Sequence, residues 1–495
     1  MKRFFLFISF FFFFQNIFSQ IAIGEWRDHL SYTYGINVEY AGQRIYNLTK
    51  GGLFYLDLNS YSLEKLTKVT GLSDVTATTI KYSSSQDLLI VGYANGNIDL
   101  ISTNTIYNLP DIKHKQMAAD KTIYNIYVEN STAYICTGFG IVVVNLERKE
   151  VKDTYIIGPA GTYLAVYDFD SDGTYYYAAT QKGIYKALTS DPGLVDFSKW
   201  TRIETIPNYS NKFNSIKAYN GALYAALDLS NWNEDTVYKY DGSIWLKYKD
   251  DLIKNVQRIE VSSNKLFIVE PYRIYSLTET GQDRYYYAYT NGLSYPKDVV
   301  MGPSDRIWIA DAIAGLVYKY YSQETWYSTF PNGPISTNAF AIASGGDNVV
   351  AVAGGRNISW GNLWSYGQFY KFENEQWSNF TKTNIPDLIK MPDICSVVIN
   401  PDNPNQYYVG SYGGGIVEMN GGQFVNYFNE ENSTLQNISS TVGEPYIRIG
   451  GMNFDKESNL WVTNCGVDNS ISVRKKDGTW KGFNLKNYIN AGELA

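Results

Sequence analysis

Short apolar runs alternate with polar turns along the whole chain, and the same order of runs keeps returning. In residues 292–320, GLSYPKDVVMGPSDRIWIADAIAGLVYKY, an opening turn leads into the run KDVVMG and a tight polar turn, PSD. A second run, RIWIA, follows, then a Gly-bearing turn and a third run, LVYKY. β-branched and aromatic residues in alternation predict short strands, and the Gly, Pro and Asp clusters predict the turns between them. Three or four antiparallel strands of this length form a sheet that cannot bury its own faces. It has to stack on copies of itself.

The second run recurs with its Gly turn. It begins at Ile45, Leu89, Tyr134, Tyr176, Leu223, Leu266, Ile307 and Val349, and again, at wider steps, at Tyr407 and Leu460. A period of roughly 40–50 residues with about four strands per unit is the mark of a β-propeller blade. A β-sandwich also has closely spaced strands, but it does not require one phrase to be repeated throughout. The small residues that end the second run (Gly92, Ala179, Ala226, Ala310) would let sheets crowd where blades converge. The later glycines (Gly96, Gly140, Gly183, Gly315) would free the turn to take positive φ. The expected fold is all-β: a seven-bladed β-propeller followed by the first blades of a second, incomplete propeller. Ten blades in one ring would exceed the usual four to eight.

The ends refine this division. Met1-Lys2-Arg3, the apolar run from Phe4 to Phe14 and the residues up to Ser19 have the parts of a secretory signal peptide. That run is too short to span a bilayer, and no later segment is long and apolar enough. The predicted organisation is a signal peptide over 1–19, a first propeller over 20–335 and a partial second propeller over 336–495, in a truncated frame. The first cysteine is Cys136, far from the cleavage point, so a lipid-anchored lipoprotein is not expected.

Composition narrows the chemistry. The net charge is −7 with no basic block, which leaves nucleic-acid binding without support. Cys136, Cys395 and Cys465 do not make a disulfide framework and read as buried small hydrophobes. His29 and His114 are the two histidines, and neither a metal cluster nor a catalytic triad can be built on them. No cofactor, no metal and no catalytic residue is expected, and the chain reads as a non-enzyme. Asp168-Phe-Asp170-Ser-Asp172-Gly173 resembles the start of a calcium loop, but Ala179 stands where its bidentate Glu should be. A hairpin with Asp-Gly at its tip explains the same residues.

Aromatic residues make up 16% of the chain, with 44 Tyr, more than unpatterned loops would use, so most must fill the packing between sheets. One cluster stands apart. Residues 354–367, GGRNISWGNLWSYG, form a long insertion between strands of one blade. Trp360, Trp364 and Tyr366 offer rings that stack on sugar faces, while Arg356 and Asn362 offer hydrogen bonds to hydroxyls or anionic groups. The alternative is a loop folded over the junction of two propellers, burying its tryptophans. The loop around Trp232 is a fainter candidate of the same kind.

Two stretches go beyond a generic propeller. GEWRDHLSY at residues 24–32 resembles the W-x-x-H-L-S-Y opening of PorZ proteins, and YIRIGGM at 446–452 with NLWVTN at 459–464 is similar to a blade of that family. More loosely, Gly292-Leu293-Ser294 and Ile307-Trp308-Ile309 resemble the two-component-regulator propeller repeat. The PorZ resemblance implies a component of the type IX secretion system of Bacteroidetes, with two seven-bladed propellers and a terminal β-domain. It implies a place at the cell surface and outer membrane, in the attachment complex with a PorU-like sortase and two outer-membrane partners. There it would bind anionic lipopolysaccharide without being the transpeptidase. A rival is the periplasmic glycan-sensing propeller region of a hybrid histidine kinase. A lyase or sialidase would need catalytic groups clustered on one propeller face, and none is visible.

Overall fold

A computed structural model describes residues 24, 26–229, 231–320, 322–438 and 446–488, so the predicted signal peptide lies outside the described residues. The chain divides into two compact units. One comprises residues 28–337, the other 338–495 together with the start of the chain up to Arg27. Among the described residues they contain ten four-stranded antiparallel sheets, each a simple meander. This is a propeller-type, all-β fold. Each second run picked out in the sequence is the second strand of its sheet, from Arg44–Thr49 to Leu460–Cys465. No described helix is long and apolar enough to cross a membrane.

Seven sheets, among the described residues, fall in the first unit, spanning 35–66, 77–109, 123–155, 166–202, 213–247, 258–287 and 296–329. Their inner strands lie side by side in chain order, and the last of them, Pro296–Gly302, lies against the first, Gly35–Ala41. Hydrophobic clusters fill each gap between neighbouring sheets. One joins Tyr134, Cys136 and Val143 to Phe169, Tyr176 and Ala178. The gap between last and first sheet is filled by Trp308, Ala310 and Leu316 against Val38, Ile45 and Phe54. The tyrosines are used here as expected: Tyr134 and Tyr176 stack on Phe169 at 5.1 and 5.2 Å. Close approach explains the small residues, since a Cβ on Gly92 would sit 2.6 Å from Ile123. The turn glycines Gly96, Gly140, Gly183 and Gly315 all take positive φ.

A second device holds the sheets around their common axis. In six of the seven inner strands of this unit a β-bulge inserts one extra residue. The bulge re-aims the side chain that follows it, which is Asn37, Thr79, Asn125, Asp168, Ser215 or Asp298. Several of these reach across to the next inner strand. Asn37 Oδ1 accepts the Ile80 N–H at 2.7 Å, and Asn125 Nδ2 donates to Asp168 at 2.7 Å. Asp168 accepts the Ile216 N–H at 2.9 Å, and Ser215 Oγ the Ile259 N–H at 3.1 Å. Asp298 accepts the Val38 N–H at 2.9 Å, which links the seventh sheet to the first. Hydrophobic packing supplies most of the burial; the relay satisfies inner-strand donors that would otherwise face the axis unpaired.

The second unit holds three sheets among the described residues, spanning 341–380, 394–428 and 448–483. Its clusters repeat the pattern, with Phe369, Ile394 and Val409 between the first two sheets and Tyr408, Ile449 and Leu460 between the next two.

Candidate functional site

The insertion 354–367 connects the second and third strands of the first sheet in the second unit, Asn348–Val352 and Phe369–Glu373. It is a built loop. The Asp393 carboxylate, fully buried, accepts the N–H groups of Leu363, Trp364 and Ser365 at 2.9, 2.9 and 2.8 Å. The Asn357 side chain accepts those of Ser359 and Gly361 at 2.9 and 2.7 Å. Between these anchors Trp360 and Trp364 take left-handed backbone conformations, φ 59° and 57°. Bulky residues adopt that region only when their surroundings impose it. The outcome is that both rings face solvent, Trp360 49% and Trp364 66% exposed, with Tyr366 at 83%. The loop does not bury its tryptophans.

The cluster reaches beyond the loop. The Arg356 guanidinium lies 4.3 Å from the Trp360 ring and 5.0 Å from the Tyr412 ring. That of Arg448 lies 4.9 Å from both Tyr412 and Tyr446. Trp364 stacks on Tyr446 at 5.8 Å. Asn362 ties the pieces together: its Nδ2 donates to the Tyr412 carbonyl at 2.8 Å, and its Oδ1 accepts the Tyr446 hydroxyl at 2.7 Å and Arg448 at 3.3 Å. Of the five candidate residues, Arg356, Trp360, Asn362 and Trp364 share this cluster, while Tyr366 has the Lys382 ammonium 5.5 Å from its ring. Sequence reasoning missed Tyr412, Tyr446 and Arg448. The signal available was positional, because Tyr412 stands in the Gly-rich second-to-third-strand turn of the next sheet and Arg448 opens the inner strand of the third.

Beneath Tyr412 lie Cys395 and Cys465, both buried, as is Cys136 in the first unit. Burial pushes the Cys395 thiol up to about 11, against the opposing pull of Arg356. Thiols held in that state are packing groups rather than nucleophiles. The same cluster holds flat hydrophobic faces and fixed guanidinium forks together, which is a chemistry of binding.

The first unit has a different feature, an axial cavity of about 460 Å³ lined by inner-strand residues, among them Glu39, Lys81, Asp170, Lys217, Arg258 and Glu260. Lys217 pairs with Asp168 at 2.6 Å, Lys81 with Glu39 at 3.3 Å, and Arg258 with Asp298 and Glu260 at 3.4 and 3.3 Å. Burial pushes the Glu260 carboxyl up to about 7, opposed chiefly by Lys217, and Asp298 adds to the rise. Burial likewise pushes Asp170 up to about 6 against the pull of Lys217. Both groups keep a proton in the folded state that the unfolded chain, with carboxyls at 4.5 and 3.8, has already released. The stability this adds is fully present below the unfolded values and is lost as the pH rises through about 6 to 7. Thermal midpoints should therefore fall between about pH 5 and 8, and Glu260→Gln should flatten that fall. Parallel profiles for the two proteins in scanning calorimetry would reject this account.

The acidic triplet resolves into separate roles. Asp168 belongs to the inter-sheet relay, Asp170 accepts the Ala218 N–H at 2.8 Å, and Asp172 caps its hairpin by accepting the Thr174 and Tyr175 N–H groups at 2.8 Å. These carboxylates serve three different sets of donors. Among the described residues no group of three His, Cys, Asp or Glu is placed to hold a metal ion. Trp232 is 62% exposed and lies 6.2 Å from the Tyr272 ring, which lies 5.5 Å from Tyr295.

Residues 45–201 match the family model of the N-terminal β-propeller domain of PorZ, a type IX secretion system protein. Among solved structures the chain is similar to PorZ of Porphyromonas gingivalis, described as an essential bacterial surface component of the type IX secretion system. The TM-score is 0.79 at 19% identity, covering 94% of this chain and 61% of that one. This chain thus spans about 61% of the length of that structure, and at such identity the likeness is one of fold. A chain of the mitotic checkpoint complex aligns at TM-score 0.43 and 9% identity, over 61% of this chain and 92% of that one. No curated protein matches the sequence.

Proposed function

We propose that this PorZ-like chain is a non-enzymatic surface component of a type IX secretion system that binds a glycan, anionic lipopolysaccharide, and supports a PorU-like sortase in anchoring secreted cargo. The observation that carries this reading is the match of residues 45–201 to the PorZ propeller domain. The fold likeness along 94% of the chain agrees with it. In this proposal the seven sheets of the first unit form one closed seven-bladed propeller over 20–335, and 336–495 contribute to a second. Export would be directed by residues 1–19.

Glycan binding is assigned to the ring-bearing face of the second unit. Trp360 and Trp364 are exposed although their backbones are held in a costly conformation, which is the signature of side chains displayed for contact. Trp360→Ala combined with Trp364→Ala should weaken binding of lipopolysaccharide by about 100-fold, taking about 1.5 kcal/mol for each ring lost. The thermal midpoint should barely move, because both rings are solvent-facing. Titration calorimetry with purified lipopolysaccharide measures this. Undiminished affinity in the folded double variant would remove the site assignment.

A further inference from the structure

Arg356 and Arg448 both lie half-buried against one ring, Tyr412, and neither forms an ion pair among the described residues. Arg44 and Arg306 also lie partly buried on tyrosine rings without an ion pair, each alone, whereas three other partly buried arginines have carboxylate partners. Arg258 pairs with Asp298, Arg273 with Glu270 and Arg474 with Glu418. Asp393 and Arg356 both act on the Cys395 thiol, in opposite directions, but no ion pair joins them. Both Asp393 oxygens are already taken by the N–H groups of the loop. Arg448 donates to the Tyr446 hydroxyl and to Asn362 Oδ1, both neutral acceptors, and its Nε is buried with no acceptor.

Two half-buried guanidiniums with no ion-pair partner among the described residues are partly stripped of water without compensation, and an anion that reaches them relieves that cost. The fork geometry of arginine suits the paired oxygens of phosphate or carboxylate. Trp360 and Trp364 stand beside the pair as exposed flat faces. We propose that Arg356 and Arg448 together hold one anionic group of a bound saccharide, a phosphate or a carboxylate, while its sugar ring stacks on Trp360 or Trp364. This rests on the glycan reading of the loop. Asn362 acts as a positioning residue, fixing Arg448 through its Oδ1.

The test titrates the full chain with glucose 6-phosphate, glucuronate, glucose and inorganic phosphate, followed by calorimetry at low salt. Both charged sugars should bind at least about tenfold more tightly than glucose, and the stronger of the two identifies the anion. Arg356→Gln and Arg448→Gln should each weaken the charged sugars by about 10- to 100-fold and leave glucose unchanged. Because Arg448 also supports Tyr446, Arg448→Lys serves as its folded counterpart. It keeps the charge, loses the fork, and should give an intermediate affinity. Equal affinity for all three sugars, or arginine variants that bind the charged sugars as wild type does, would overturn the clamp while the glycan reading stands. Binding of inorganic phosphate that depends on both arginines, with no binding of any sugar, would keep the clamp and sink the glycan reading. Absence of binding by all four probes would sink both.

Discussion

Asp168→Ala should unfold the first unit at markedly lower denaturant than wild type, with a loss of about 3–5 kcal/mol. The side chain is 2% exposed and accepts bonds from the two neighbouring inner strands: from Asn125 at 2.7 Å on one, and from Ser215 at 2.7 Å, the Ile216 N–H at 2.9 Å and the Lys217 ammonium at 2.6 Å on the other. Alanine leaves a buried ammonium without its partner and a backbone N–H without an acceptor. Each is costly on its own. The lost hydrophobic contact of one short side chain is minor beside these. Asp168→Asn keeps an acceptor for Ile216 but not the charge for Lys217, and should fall between. Urea unfolding followed by tryptophan fluorescence measures both, and the first transition should move while its slope is kept. A midpoint shift worth less than about 0.5 kcal/mol, the size of an ordinary surface substitution, would show the relay to be incidental.

Asp393→Ala should release the insertion while leaving its sheets folded. One carboxylate holds three consecutive N–H groups of the loop, and hydrogen bonds to a charged group are worth about 1.5–3 kcal/mol each. Part of this is regained when the freed N–H groups meet water, so amide exchange of residues 363–365 should quicken by about 100-fold rather than more. With its anchor gone, nothing compels Trp364 to stay at φ 57°, and glycan affinity should fall at least as far as in the double tryptophan variant. The cores between the sheets contain no part of this loop, so the thermal midpoint should drop only slightly. Hydrogen exchange resolved by residue is the measurement. Unchanged protection of 363–365 would mean that the loop is held by something other than Asp393.

The sheets were legible in the sequence because their signals are local: alternation within a run, a polar turn, a glycine that must take positive φ. The relay was not. Its members are Asn37, Thr79, Asn125, Asp168, Ser215 and Asp298, which share a place after the bulge but no residue type. Asp168 in particular invites a calcium or hairpin reading, and only the neighbouring sheet shows what it binds. The candidate site divides in the same way. Rings and polar groups crowded into 354–367 are visible as composition, whereas Tyr412 and Arg448 join them only because successive sheets stack. Burial of the cysteines was readable from their place in apolar strands; the pairing of two of them under Tyr412 was not.

The bulge in the inner strands also fixes where this architecture can change in length. Side chains alternate along a strand, so losing the extra residue Tyr167 would turn Asp168 to the opposite face and break its links to Ser215 and Lys217 at once. Deletions beside the axis are thus ruled out one residue at a time. The connection from second to third strand carries no such register. The first sheet of the second unit accommodates the fourteen residues 354–367 there, where the next sheet has only 412–414, with its ladder from Val349 to Val352 intact. New recognition surfaces in chains of this kind would accordingly arise by insertion at one rim, while the axis stays fixed in length.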